Sequence, residues 1–457
     1  MHSERARQWV HVASGLFALL LRVLTWWQAA ALAAFALAFN ALALPRVGGR
    51  RLYRPVDEAR GYPLGILLYP LAVLLLVLIF PSRLDIAGAA WAILAFGDGF
   101  ATLAGTAKAA RLANNAKAAQ FAKNAKTALP WNREKTIAGT AAFIVCGALG
   151  GMALAWWIRP AIAPLPPIAF TLAAPVAAAI AAGFVETIPV RLDDNLSVPA
   201  AAAAVLWLAS LMDVASWQSS RHAVAAALPW AVLVNGATAW LGYRAKTVSR
   251  SGALAGFGVG VLIYAGGGPG AWILLFVTFV TASITSRLGL QRKVMLGIAE
   301  ERGGRRGAGN AIANCGIAAA AAVAAVTTPY AATALLALVV ALAAGGSDTV
   351  ASEIGKAWGR STFLVTSFSR VKPGTPGAMS LEGTAAGMIA AFGLAAVGVA
   401  AALIPASAII TVVVAATAGA LVESVLGATL EAPGILNNDA LNFINTAVAA
   451  TIALWLA

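Results

Sequence analysis

Eight carboxylates carry the chemistry this sequence could do. Asp98, Glu186, Asp193 and Asp194 in the first half, with Asp348, Glu353, Glu423 and Asp439 in the second, come from a total of only 18 acidic residues. Asp98, Thr102 and Gly105 are spaced i, i+4, i+7, so a carboxylate, a hydroxyl and a gap share one helix face. Asp348, Ser352 and Gly355 repeat that spacing. Mg2+ is held by one or two carboxylates plus substrate phosphates, and Lys and Arg neutralise the remaining phosphate oxygens. Carboxylates beside basic loops therefore suit a metal–polyphosphate. A structural ion pair with a loop Arg or Lys is the competing role for the two aspartates. Thr136 and Ser380 each precede a Gly-Thr step, Gly139-Thr140 and Gly383-Thr384, near the start of an apolar run. Free N–H groups at such a helix start favour phosphate, and close helix packing is the other use of small residues there.

These groups recur in order. The pattern D-x-x-A-[ST]-x-x-G at 98–105 returns at 348–355, and Thr136-Ile-Ala-Gly139-Thr140 returns as Ser380-Leu-Glu-Gly383-Thr384. Glu186-Thr-Ile returns as Glu423-Ser-Val, and Asp193-Asp194-Asn195-Leu196 is echoed by Asn437-Asn438-Asp439. Two fainter matches, Gly48-Gly-Arg-Arg51 with Gly303-Gly-Arg-Arg306 and Arg7 with Arg244, extend the series upstream.

The elements that must position them are membrane helices. The 457 residues are 60% hydrophobic and 11% charged, with mean hydropathy +0.82. A soluble globular domain carries far more charge, and disordered, fibrous and disulfide-stapled classes are excluded too. A spanning helix needs about 20 apolar residues. On that basis the chain reads as about fifteen spans, near 9–25, 29–45, 62–80, 86–105, 136–158, 166–188, 198–214, 223–242, 251–266, 271–287, 310–328, 331–347, 383–403, 406–424 and 439–457. The expected fold is an all-α polytopic membrane protein of two halves, 1–242 and 243–457. Matched segments lie eight spans apart, so the halves would be parallel repeats about a pseudo-two-fold axis along the membrane normal.

Lys and Arg number 32, giving a net charge of +14. They gather after even-numbered spans, as at Arg46–Arg54, Arg244–Arg250, Arg292–Arg306 and Lys356–Lys372. The positive-inside rule then puts the amino terminus and these loops in the cytoplasm of a bacterial inner (plasma) membrane, with the acidic signatures near that face. The loop 106–128, rich in Ala, Lys and Asn, reads as a basic interfacial helix. Its expected partner is membrane lipid and not nucleic acid, since the chain offers no nucleic-acid module. Cys146 and Cys315 imply no disulfide framework. Arg22 interrupts the first apolar run, so that helix is expected to stay as an anchor. No Walker A loop, no kinase H-R-D and D-F-G pair and no Cys/His zinc spacing occurs. His2, His11 and His222 are isolated, with His11 at the inner end of the first span.

Several motifs resemble known families. Gly97-Asp98-Gly-Phe-Ala101, Leu129-Pro-Trp-Asn132-Arg-Glu-Lys135-Thr-Ile-Ala-Gly139-Thr140, Glu186 and Asp194-Asn195-Leu-Ser-Val-Pro199 resemble the phytol kinase branch of the polyprenol and dolichol kinases, over about the first 215 residues. The chain departs from that branch after Gly105, where the Ala/Lys/Asn segment replaces a short Gly/Arg/Lys-rich turn. Arg302-Gly-Gly-Arg305-Arg306, Asn314-Cys-Gly316, Ser347-Asp348 to Lys356, Lys372-Pro-Gly-Thr375, Ser380 to Thr384, Glu423 to Thr429 and Asn437-Asn438-Asp439 resemble the membrane family that contains phytyl-phosphate kinases, over about 240 residues.

The resemblance implies a fusion that phosphorylates a prenyl alcohol twice, first to the prenyl phosphate and then to the diphosphate. The donor would be CTP, or else UTP or ATP, with Mg2+. It implies Asp98, Glu186, Asp348 and Glu423 as catalytic residues and Asp98, Asp193, Asp194, Asp348, Glu353 and Asp439 as metal ligands. Nucleotide and phosphate would meet Thr102, Asn132, Lys135, Thr136, Gly139, Thr140 and Asn195 in the first half. In the second half they would meet Arg305, Arg306, Asn314, Ser352, Lys356, Arg370, Lys372, Ser380, Gly383, Thr384, Asn437 and Asn438. A lipid-phosphate cytidylyltransferase and a repeat-built secondary transporter are the alternatives that the residues leave open.

Overall fold

In hydrocarbon every backbone N–H and C=O must be paired internally, so long apolar runs become helices. The computed structural model describes residues 4–46, 64–104, 129, 132, 135–188, 192–298, 305–431 and 435–457. Among these, ten helices are long and apolar enough to cross a membrane. Trp9–Arg22, Trp26–Leu42 and Leu64–Ile79 are shorter apolar helices. The protein is an all-α polytopic membrane protein. The sheet among the described residues is a hairpin of two short antiparallel strands, β1 (Thr362–Leu364) and β2 (Ala378–Ser380).

The fifteen apolar segments read from the sequence fall on helix, but five do not add a full-length span. Those at 251–266 and 271–287 join into Arg250–Arg287, broken only where Gly268 takes a left-handed φ of 76° before Pro269. Three others are the short apolar helices. The fifth is Asp194–Ser210, 17 residues long and acidic at its start. The 106–128 loop lies outside the described residues.

The chain divides into two compact units, Met1–Leu211 and Met212–Ala457. The boundary falls earlier than 242/243 because Val214–Arg244 packs along Arg250–Arg287 and goes with the second unit.

The first unit contains α1 (Glu4–Gly15), α2 (Trp26–Leu42), α3 (Leu64–Ile79), α4 (Leu84–Ala92), α5 (Ile137–Ile158), α6 (Ile168–Glu186) and α7 (Asp194–Ser210). Helix α4 runs on through a π-helical stretch, Ile93–Asp98. Its core is alanine-rich, with Ala87, Ala89, Ala90, Ala178, Ala179, Ala182 and Ala202 around Phe143. Without a hydrophobic force between helices in lipid, such small residues hold them by close contact.

The second unit contains α8 (Val214–Arg244), α9 (Arg250–Arg287), α10 (Leu290–Met295), α11 (Ala308–Thr327), α12 (Ala331–Trp358), α13 (Leu381–Ala400), α14 (Ile409–Leu426) and α15 (Asn438–Leu456). Every residue of α12 from Leu338 to Ala344 is fully buried. A helix apolar all round belongs at the centre of a bundle, and α9, α11, α13, α14 and α15 all pack on α12. Large apolar side chains such as Trp217, Trp230, Trp240, Phe392 and Trp455 stay exposed, as a lipid-facing surface requires.

Close approach leaves little room at some glycines. A Cβ at Gly260 would collide with the Asn235 amide, whose Oδ1 accepts a 3.0 Å hydrogen bond from Trp272 Nε1. We expect Gly260→Val to cost about 1–3 kcal/mol by overpacking, read as a lower Tm in detergent, with Gly256→Val, in open space, as the control.

Candidate functional site

Three helix ends meet in the first unit. Asp98 ends the π-helical stretch of α4, Glu186 is the last residue of α6, and Asp194 is the first of α7. A π-turn inserts an extra residue and re-aims the side chains around it. One carboxylate oxygen from each of Asp98, Glu186 and Asp194 lies within 4.8 Å of the other two. Three like charges so close require cations. Lys135, just before α5, supplies one: its Nζ is 2.6 Å from Glu186 Oε1 and 3.0 Å from Asp194 Oδ2. Burial would lower the Lys135 pKa, but Asp194 and Glu186 outweigh it and raise the ammonium above its ordinary 10.5. Glu186 is only 5% exposed, and its Oε2 has no hydrogen-bond partner among the described residues. Three hard oxygen donors and an orphaned carboxylate oxygen fit a divalent cation such as Mg2+.

Neighbouring residues frame this group. Asp193 caps α7, accepting from Asn195 N at 3.0 Å and Asn195 Nδ2 at 2.8 Å. Asn132 Nδ2 donates to Thr187 O at 3.2 Å. Thr136 caps α5 by accepting from Gly139 N at 3.1 Å, which occupies one N–H of that helix start, while Thr140 Oγ1 is buried without a partner among the described residues. Thr102 lies one turn beyond Asp98. His11 Nε2 stands 3.6 Å from Asp98 Oδ2, so the isolated histidine of the sequence is beside the acidic group.

The second unit arranges its residues differently. The carboxyls of Asp348 on α12 and Glu423 on α14 are adjacent, and the Asn445 amide lies beside Glu423. Glu353 is not with them. Its two oxygens accept from Lys293 Nζ and, at 3.0 Å, from Lys356 Nζ. Lys293 and Glu353 are 1% and 2% exposed, so Lys293 is a buried ion-pair partner and not the loop charge that its place among Arg292–Arg306 suggested. Asp439 packs against Gly309 at the start of α11. Ser380 caps α13 by accepting from Gly383 N at 3.1 Å, and Thr384 Oγ1 donates to Ser380 O at 2.9 Å. Asn437 caps α15, accepting from Ala440 N at 2.9 Å, and Asn438 is exposed.

Other named residues are spread along the unit. Ser352 is exposed and donates to Thr349 O at 3.2 Å. Arg305 is exposed, whereas Arg306 bridges to Val248 through its backbone. Arg370 and Lys372 are exposed in the connection between β1 and β2. Asn314 is buried inside the bundle. Asn445 was not singled out from sequence. Its signal is the pair Asn442 and Asn445, two amides at i, i+3 inside the largely apolar helix α15, and polar groups there are costly.

Residues 233–450 match the integral membrane protein family DUF92. The chain belongs to this family. Among its relatives is Protein VTE6, chloroplastic, of Arabidopsis thaliana, 36% identical over 214 residues, covering 45% of this chain and 64% of that protein. The chain thus spans less than two thirds of that relative. An uncharacterised membrane protein of Synechocystis sp. is 38% identical over 199 residues, covering 43% of this chain and 77% of that protein. Protein PGR of Arabidopsis thaliana is 30% identical over 237 residues, covering 45% of this chain and 80% of that protein. No solved structure matches the chain. The DUF92 match lies within the second unit, which holds the Asp348–Glu423 pair.

Replacing Lys135 by Met would leave buried Glu186 without its counter-charge. Losing one partner of a pair this buried is expected to cost about 3 kcal/mol. The folded Lys135 pKa lies above the unfolded value, so the stabilisation is complete below pH 10.5 and is lost only as pH rises through the folded value. The Tm deficit of Lys135→Met should therefore persist undiminished at about pH 9, and a deficit that vanishes at about pH 9 would contradict the pairing.

Proposed function

We propose that the protein is a membrane isoprenoid salvage kinase, a fusion of two kinase halves. The first unit converts a prenyl alcohol to its monophosphate, and the second converts the monophosphate to the diphosphate. The observation that carries this reading is the convergence of Asp98, Glu186 and Asp194 on Lys135 at three helix ends. The resemblance of the surrounding motifs to prenol kinases supplies the substrate class, and the membrane bundle suits a lipid acceptor.

Phosphoryl transfer depends on positioning and charge neutralisation more than on covalent chemistry. In the first unit Glu186, Asp194 and Asp98 would hold Mg2+, which when bound neutralises phosphate oxygens. Lys135 would move its ammonium toward the phosphates as the carboxylates engage the metal. Thr136, Gly139 and Thr140 offer a helix start to the polyphosphate. The prenol oxygen forms a bond to the terminal phosphorus, the bond from that phosphorus to the bridging oxygen breaks, and a nucleoside diphosphate leaves. The hydroxyl proton passes to a carboxylate oxygen of the group, for which Asp98 is the candidate.

In the second unit Asp348 and Glu423 take the corresponding place, with Lys356, Arg370 and Lys372 as phosphate-holding cations. The donor is CTP, with UTP and ATP as alternatives. The basic loops lie on the cytoplasmic side of a bacterial plasma membrane, and the halves are parallel repeats.

The test is purified protein with a prenol, CTP and Mg2+, read by product mass. Mono- and diphosphate with CDP released are expected. Asp98→Asn should abolish both products from prenol, and Asp348→Asn should stop the reaction at monophosphate, each loss being about a hundredfold or more. Pyrophosphate release would instead mark a cytidylyltransferase. Solute uptake by proteoliposomes without nucleotide, and no phosphorylated product, would mark a transporter.

A further inference from the structure

Four helices of the second unit bring oxygen donors together in its interior. They are Asn314 on α11, Asp348 on α12, Glu423 on α14 and Asn445 on α15. Helix α12 packs on α11, α14 and α15, and α15 packs on α11 and α14. Asp348 and Glu423 are adjacent, and Asn445 lies beside Glu423.

Two glycines make room for the amides. A Cβ at Gly419, one turn before Glu423, would sit 2.5 Å from Asn445 Oδ1. A Cβ at Gly345, three residues before Asp348, would sit 2.9 Å from Asn314 Oδ1. Each amide oxygen is thus seated one turn from a carboxylate.

Asn314 Nδ2 donates to Asn310 O at 3.0 Å, but other polar atoms of these groups are unpaired. Asn445 is 1% exposed and Asn314 is 9% exposed. Both polar atoms of Asn445, Asn314 Oδ1 and Glu423 Oε2 make no hydrogen bond of ordinary geometry among the described residues. An unsatisfied buried polar group costs about 1–3 kcal/mol, so these unpaired atoms on three helices that pack on α12 favour a ligand. Two carboxylates and two amide oxygens are a hard, all-oxygen set, which suits Mg2+ or Mn2+ over thiolate- or imidazole-seeking metals.

We propose that Asp348, Glu423, Asn445 and Asn314 form a divalent-cation site inside the second unit, distinct from the ligand set of Asp348, Glu353 and Asp439 that the sequence suggested. Glu353 is excluded because two lysines occupy its oxygens. Asp439 is instead packed on Gly309. The bond from Glu353 holds Lys356, whose charge reaches Asp348. An anion bound to the metal would meet that ammonium. The site's use in phosphoryl transfer rests on the proposed kinase reading, but its existence does not.

The experiment uses full-length protein in detergent, with Mn2+ as probe followed by electron paramagnetic resonance. A Glu186→Gln background removes one of the three carboxylates of the first unit's acidic group and so weakens its share of the signal. That protein is expected to bind Mn2+. Adding Asn445→Leu should weaken binding about tenfold or more, the scale of a lost metal-supporting contact, whereas Asn445→Asp should retain or tighten it. If Asn445→Leu fails to fold, Asn445→Asp decides. No Mn2+ binding in the Glu186→Gln background, equal affinity with Asn445→Leu, or lost binding with Asn445→Asp overturns the site. Mn2+ binding with this pattern, but no phosphorylated product from the unsubstituted protein, would sink the kinase reading and leave the site standing. Product formation with Mn2+ binding indifferent to residue 445 would do the reverse.

Discussion

The cost of placing charge in a membrane bundle governs this protein. An ion removed from water loses several kcal/mol unless a partner replaces the lost solvation. In the first unit Lys135 is that partner: it lies outside α5 and reaches two acids on two other helices. Glu186 can therefore sit almost wholly buried at the end of α6. Asp98 and Asp194 can approach it only because a cation is within reach. The same pairing fixes the ends of α6 and α7 relative to the start of α5, so the electrostatic solution also sets the local geometry.

The second unit meets the same constraint with other groups. Here the lysines are drawn to Glu353, which lies between Lys293 and Lys356, and Asp348 and Glu423 form no salt bridge among the described residues, with the Asn445 amide beside Glu423. Counting from the capping residues, Thr136 corresponds to Ser380 and Asp193 to Asn437. Lys135 then corresponds to Met379 and Asp194 to Asn438. A cation and an anion are replaced together, so the local charge changes little. The two acidic pairs thus share a position in the pattern and differ in what neutralises them.

Packing makes either arrangement possible. Alanine and glycine let helices approach closely enough for side chains on different helices to share a ligand. At Gly345 and Gly419 the absent Cβ is the space that an amide occupies. The buried middle of α12 gives the second unit a rigid axis, and Asp348 follows directly on that stretch.

Much was legible in the sequence. Hydropathy alone gave a polytopic helical membrane protein, because a bilayer leaves the backbone no other economical state. The repeated signatures singled out Asp98, Glu186 and Asp194, since acids are rare in such a chain and each one is informative. The sequence also named Thr136, Ser380 and Asn437, and the structure shows them to be caps, a local property of the residues that follow. It did not decide how many apolar runs form full-length spans, because joining 251–266 to 271–287 depends on how the chain passes Gly268 and Pro269. Nor did it separate Glu353 from Asp348, five residues apart in one signature. Which of them keeps a lysine and which faces Glu423 is set by the direction each side chain takes from α12 into its neighbours. Asn445 and Lys293 gained their roles the same way. A residue type states what a group can bind, and only tertiary packing decides which partner is close enough to bind it.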